Sequence, residues 1–560
     1  MSRTARRIRR RAGQEGMALV MVLAGSAAAL ALAFAMITLT LGSIGSSRTS
    51  EATVAAEAAA DAGIEDFLYR LNRDADYWRY AWTNPATGTR QPLPTGTTND
   101  ALTTAGKTVP GGNTEERYRY EVTDPPTGAN GGRMTLKVVG TSRRSAHTFK
   151  ATIGRSGFLD YMYFTDYETM DPARYPLTAS SPNLTQAQAV TRCAQYKWRQ
   201  IQLGISRDSG CQELYFTQFD QVNGPLHTND TLKTNSSTAG WPRFLGPVST
   251  ANPTSPFYQR TGSLPTFSGG IQNRPNIAMP TSNTQMQALA TANGCMFTGP
   301  TRIWLTSNGK MRVRSPLTKV TRPGCTPSVT VDMNLPPNGV IYVQGVPTAP
   351  TDPNYGTQCN TSGYYPNLNT SAPAPPNIRP AGDITQYGCR DGDVFIQGTL
   401  KGQLTVAAMN RIIVTNNLVY SDAVAPNYNT IAATSTDVLG LVPNNSVEIY
   451  HPVNNSDTNL AGAITNVKLN AALLAIQHSV FVANHTEGSQ LGTLTILGAM
   501  AQRFRGPVGQ FNTSTGGIIS GYGKGYVYDS RLKVIAPPYF LDPVNSGWQV
   551  KNFAEVRNGS

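Results

Sequence analysis

The stretch MALVMVLAGSAAALALAFAMITLTLGSIGSS, residues 17 to 47, contains no charged side chain. Its centre, Ala18 to Leu41, is built from Ala, Leu, Val, Met, Ile and Phe with a few Thr, Ser and Gly. A helix needs roughly 20 such residues to cross a hydrocarbon core. Arg3, Arg6, Arg7, Arg9, Arg10 and Arg11 precede it, and an arginine cluster beside a span holds that end in the cytoplasm. The expectation is a single-pass membrane protein with a cytoplasmic N-terminus and an extracytoplasmic bulk. From Arg48 to Leu71 the pattern stays helical but becomes amphipathic, with Val54, Ala58, Ala62, Glu65 and Leu68 at steps of three and four and no proline. Residues 17 to 71 therefore read as one helix, roughly 80 Å long at about 1.5 Å per residue.

Residues 13 to 22, GQEGMALVMV, resemble the start of a type IV prepilin or pseudopilin. The resemblance implies that a prepilin peptidase cuts between Gly16 and Met17. It also implies a helix that sits in membrane lipid before assembly and then packs against other pilin subunits. The fifth residue of a mature pilin is usually glutamate; here it is Met21. That departure is found in K-type pseudopilins and some PilX-type minor pilins, and it points away from the bulk filament subunit. The segments AAEAAADAGIE (residues 55 to 65) and GPLHTND (residues 224 to 230) are also similar to PilX-type chains. Two plainer readings compete: a secretory signal ending at Ala33-Phe34-Ala35, and an unprocessed anchor.

Charged residues make up 14% of the chain, against roughly 25% in ordinary soluble domains. Gly, Pro, Asn, Ser and Thr take their place, which is the composition of a turn-rich extracellular β protein. Formal charge is +13; a chain beginning at Met17 has 41 basic and 33 acidic residues, or +8. Such an excess permits a surface polymer or DNA as partner, and equally serves solubility alone. The six cysteines are Cys193, Cys211, Cys295, Cys325, Cys359 and Cys389. An even number in an exported chain suggests disulfides, and six cysteines allow fifteen pairings. Nearest-neighbour pairing is the simplest. None of the five histidines has ligand spacing to a cysteine, so no metal site and no cofactor are expected.

Taken in order, residues 1 to 16 are a basic leader and 17 to 71 the helix. Residues 72 to 155 are a connector followed by a small antiparallel sheet. Its strands are Arg117 to Thr123, Arg133 to Gly140 and His147 to Ile153; Met134, Leu136 and Val138 show the period of two. Residues 156 to 223 are a mixed insertion, with a helical pattern from Leu184 to Leu203. From 224 to 509 short apolar runs alternate with Gly, Asn and Pro, among them Val340 to Val343, Val394 to Ile396, Leu404 to Val406, Ile412 to Val414, Val447 to Tyr450 and Val480 to Val482. Runs at this spacing without intervening helices fit a β-helix or an irregular sandwich, and very short runs with Asn at corners favour the β-helix. Residues 510 to 560 read as an aromatic and proline-rich C-terminal cap. The expected fold class is α+β: a long N-terminal transmembrane helix, a small antiparallel sheet, then a mainly β, solenoid-like region.

The chain holds no G-x-S-x-G and no H-E-x-x-H motif. Asp391, Asp393 and Asp422 are candidates for paired-carboxylate glycan cleavage, and His227 reads as a hydrogen-bonded turn residue. The leading expectation is a non-enzymatic minor pilin or pseudopilin-like subunit of a type IV pilus or type II secretion-like filament, displaying its β-rich part for adhesion. The alternative is a membrane-anchored surface enzyme or binding protein acting on glycans.

Overall fold

The structure is a computed structural model. It describes residues 15–174, 184–204, 207–356, 382–383, 385–512, 517–544 and 546–556, with backbone alone over much of 15–46. The basic leader up to residue 14, and Cys359, lie outside the described residues. The chain divides into two units: residues 1–125, 135–151 and 553–560, and residues 126–134 and 152–552.

The first unit is a helix on a sheet. One helix runs from Glu15 to Arg73. Ala52, Ala56, Ala59, Ala60, Ile64, Phe67 and Leu71 are buried at helical spacing, so one stripe faces the sheet. Burying Phe67 and Leu71 contributes roughly 1.5–3 kcal/mol each. Strands Arg117–Asp124, Met134–Ser142 and Ser145–Arg155 lie side by side in a five-stranded sheet, close to the expected segments. Its alternate residues Tyr118, Tyr120, Leu136 and Val138 are buried. Gly140 permits the closest approach: a Cβ there would stand 2.0 Å from the Ala56 carbonyl oxygen and 2.4 Å from the Ala60 nitrogen. Asp66 fastens the end of the helix. It accepts from Arg70 at 3.0 Å, Lys107 at 2.9 Å and the Tyr120 hydroxyl at 2.8 Å. Burial pushes its carboxyl up, but these three donors outweigh that and hold it below the ordinary carboxylate range.

The α+β class led by a transmembrane helix is corrected here. The chain is mainly β. Among the described residues no helix is long and apolar enough to cross a membrane. From Arg48 onward, where the side chains are described, the helix carries Glu51, Glu57, Asp61, Glu65 and Asp66 and uses an alanine stripe to pack on a sheet. That part of it is a packing element.

The second unit is a parallel β-helix. Its first wall carries an inward ladder that runs Cys295, Ile341, Val406, Leu441, Leu473, Met500, Tyr163, Leu226, Val248, Ile271, every step parallel. A second wall stacks Ile303, Ile396, Val414, Ile449 and Val482. A third stacks Leu418, Leu469, Ile496, Tyr526, Val222, Phe244 and Phe267. These side chains form one continuous core, buried except for the half-buried Phe267 and Ile271 that pack against its end. The order of the rungs is not the order of the sequence. Strand Tyr163–Met170 comes first in the chain and sits in the middle of the wall, between Gln490–Arg505 and Leu226–Thr228. From there the chain builds outward to Ile271–Asn273, restarts at the far end with Cys295–Thr298, and returns to close on the strand it began with.

The solenoid thus draws in Tyr163–Met170 and Ile518–Tyr528 from outside the 224–509 span. The C-terminal aromatics lie along the outer side of the first wall, where Ala536, Phe540 and Leu541 pack with the helix Thr284–Asn293. The helical pattern at 184–203 is two helices, Gln186–Cys193 and Lys197–Leu203. Between them Tyr196 stacks on Tyr167 and on Trp198. Asn416 and Asn417 lie within the strand Ile412–Tyr420, where the register shifts and the chain bends from one wall to the next.

Candidate functional site

Strand Val480–Val482 ends the regular ladder of the second wall, and residues 505–509 run along its edge, the Pro507 carbonyl accepting from the Val482 nitrogen at 3.0 Å. The neighbouring short sheet ends in Phe216–Thr217, its edge strand. Between the two opens a cleft of about 380 Å³, lined by residues 214–222, 505–509, Val480, Met500, Gln502, Lys524 and Tyr526 among others.

Side chains hold further backbone groups around the cleft. Gln502 accepts from the Val480 nitrogen at 2.9 Å and the Gly506 nitrogen at 3.1 Å. Arg505 donates to the Leu214 carbonyl at 3.0 Å and the Tyr215 carbonyl at 3.4 Å. Asp220 accepts from the Thr217 nitrogen at 2.7 Å. The edges on both sides of the gap are therefore satisfied.

The charges around the cleft are paired. Arg505 donates to Glu168 at 3.1 Å, and Lys524 to Asp220 at 2.5 Å. Burial pushes the Glu168 carboxyl up against the pull of Arg505. For Asp220, burial is outweighed by the Lys524 ammonium, with help from Arg505 and the Thr217 amide, and its carboxyl lies below the ordinary range. The deep wall is apolar and aromatic, with Tyr163, Phe216, Val222, Met500, Val508 and Tyr526 buried. The Arg505 guanidinium lies 3.8 Å from the Phe216 ring centroid and occupies that face. At the mouth, Phe219 is 39% exposed and Phe511 is half-buried. Gln221, Asn235 and Ser237 are exposed on the rim.

Gly16, Met17 and Met21 fall within the helix Glu15–Arg73. Cys193–Cys211 and Cys295–Cys325 are disulfides with Cα separations of 5.7 and 5.4 Å. Cys389 is disulfide-bonded. The three carboxylates singled out for glycan cleavage do not come together: Asp391 stands near Asp393, whose carboxyl is pushed up to about 6 by burial with a contribution from Asp391, and Asp422 stands apart. Asp393 is buried, accepting from Asn410 at 2.7 Å and the Arg411 nitrogen at 3.0 Å. Asp422 pairs with Lys401 at 2.7 Å and Ser435 at 2.8 Å in a separate network. His227 is buried in the first wall, its Nδ1 2.8 Å from Ser249 Oγ and its Nε2 3.1 Å from Asn229 Oδ1. Among the described residues no group of His, Cys, Asp and Glu could hold a metal ion. The sequence reading passed over the cleft. Its signal was Tyr215, Phe216 and Phe219 within seven residues of Glu213, beside Asp220.

No family model matches the chain, and no curated protein matches it. Among solved structures, the crystal structure of the competence-associated pilin ComZ from Thermus thermophilus is similar at a TM-score of 0.27 and 13% identity, covering 90% of this chain and 97% of that one.

Proposed function

We propose that this chain is a pilin-like subunit of low copy number that carries a β-helix as its displayed, ligand-contacting part. The observation that supports this most is the arrangement of the first unit. A 59-residue helix begins beside the Gly16–Met17 junction, and its second half packs on an antiparallel sheet. Leu30, Leu32, Phe34 and Met36 are each more than 60% exposed on that helix, a surface for other pilin helices to cover. Two disulfides fit an oxidising compartment outside the cytoplasm.

In this reading a prepilin peptidase releases the amine of Met17. A pilin with Glu at position five can accept that amine from a neighbour; Met21 cannot, so this chain suits a filament end or a rare position. A binding role fits better than catalysis on glycans. Asp220 is the only carboxylate among the described residues lining the cleft, and glycoside cleavage generally takes two. N-terminal mass spectrometry of the chain from its native host tests the reading. A chain starting at Met17, scarce beside a smaller pilin in sheared filaments, is expected. A start at Met1 or Met36, or a chain that is the most abundant filament subunit, overturns it.

A further inference from the structure

The cleft between residues 505–509 and Phe216–Thr217 has the volume of a ligand site, and its chemistry narrows what enters. A cleft of about 380 Å³ lies within the ~300–1,000 Å³ range of small-molecule sites. An extended peptide adding itself as a strand would need free edge groups on one side of the gap. They are not free: Gln502, Arg505 and Asp220 already hold the Val480, Gly506 and Thr217 nitrogens and the Leu214 and Tyr215 carbonyls. Displacing Arg505 would also leave Glu168, which is fully buried, without its cation. The occupant is therefore compact rather than a strand.

It is also uncharged. Among the described residues the two cations on the cleft wall, Arg505 and Lys524, are each committed to a carboxylate, and neither sign of charge is left over for an ionic ligand. What remains on offer is an aromatic face and neutral hydrogen-bonding groups. Phe219, 39% exposed, and the half-buried Phe511 both line the cleft. Asn235 and Ser237 project from the rim, and the Lys524 ammonium has donors beyond the one given to Asp220. A ring with an apolar face and a hydroxylated edge matches both sets of groups at once.

We propose that the cleft between Val480–Val482 and Phe216–Thr217 binds a neutral saccharide of one or two rings, stacked on Phe219 and held at its edge by Asn235, Ser237 and Lys524. The proposal rests on the reading of the β-helix as the ligand-contacting part of the chain. It is tested by saturation-transfer NMR on the purified full-length chain with cellobiose, lactose and N,N′-diacetylchitobiose as probes. Palmitate and a seven-residue β-strand peptide serve as controls. Saturable transfer from at least one disaccharide is expected. It should fall at least tenfold in Phe219→Ala and several-fold in Asn235→Ala, both exposed positions, while the thermal unfolding midpoint stays unchanged. Three results overturn the proposal: no disaccharide binds; binding survives Phe219→Ala; or palmitate or the peptide binds the cleft and the disaccharides do not. Failure here leaves the Met17 terminus to be found or not in the host, so the two readings fail separately.

Discussion

The Arg505 guanidinium donates to the Glu168 carboxylate at 3.1 Å across 337 residues of chain, and both groups are buried. The pair stands where the returning strand Gln490–Arg505 meets the first strand of the solenoid, Tyr163–Met170. Removing one partner of such a pair leaves a buried charge uncompensated, which costs about 3–5 kcal/mol. Arg505→Met should lower stability by that amount, while Arg505→Met with Glu168→Leu should recover a good part of it. Urea unfolding of the four species in a double-mutant cycle checks this; equal losses in the single and double variants would show that the pair does not hold the seam.

Gly140 and Gly63 make a graded test of the helix–sheet contact. A Cβ at Gly140 meets the backbone of Ala56 and Ala60, whereas a Cβ at Gly63 meets Val138 Cγ1 at 2.8 Å and the Tyr118 side chain. Backbone cannot yield, and a side-chain methyl can. Gly140→Ala should destabilise the first unit by about 1–3 kcal/mol, the usual range for overpacking, and Gly63→Ala by less. Thermal unfolding of the two variants gives the order.

Burial holds the His227 imidazole down to about 4, against an ordinary value of 6.5. The folded state therefore keeps this residue neutral while the unfolded chain takes up a proton between those values. Stability from this group is fully present above pH 6.5 and is lost as pH falls toward 4, amounting to roughly 3 kcal/mol at the low end. His485, also pushed down to about 4 by burial and by the neighbouring His451, adds in the same direction. Unfolding midpoints measured from pH 7.5 to pH 4.5 should fall in the wild type and fall less steeply in His227→Gln. An unchanged slope in the variant would place the acid sensitivity elsewhere.

The Cys295–Cys325 disulfide closes 30 residues at the first rung of the long run of walls, where Cys295 and Cys325 are both buried. Cys295→Ser with Cys325→Ser should cost about 2–4 kcal/mol. The Cys193–Cys211 pair closes 18 residues, and a loop of that length should cost slightly less to open. Unfolding of each double variant under oxidising conditions ranks them.

Much of the architecture was written in short-range pattern. Met134, Leu136 and Val138 alternate in sequence and alternate in burial. The apolar runs at Val340, Val394, Leu404, Ile412, Val447 and Val480 each became a rung. What stayed hidden depends on partners far away in the chain. Nothing near Tyr163 announces that Met500 and Leu226 will flank it, because parallel pairing has no local turn to mark it. The cleft was hidden for the same reason, since its two sides come from residues 214–222 and 480–509. The carboxylates Asp391, Asp393 and Asp422 were candidates because a β-helix can carry paired carboxylates; Asp393 and Asp422 are each spent on their own neighbours.

The placement of Tyr163–Met170 in the middle of the first wall sets a timetable for the ribosome and whatever accompanies the nascent chain. One side of that strand finds its partner within about sixty residues, as Leu226–Thr228 emerges. The other side must wait for Gln490–Arg505. At about 5–20 residues per second, that wait is on the order of tens of seconds. Throughout it the chain presents an open strand edge, the kind of template on which polypeptides join one another in place of themselves. A product truncated anywhere before Gln490 would carry that edge permanently. Prematurely terminated copies of this protein should therefore be found in aggregates, or bound to a chaperone, even when they include the whole first half of the solenoid.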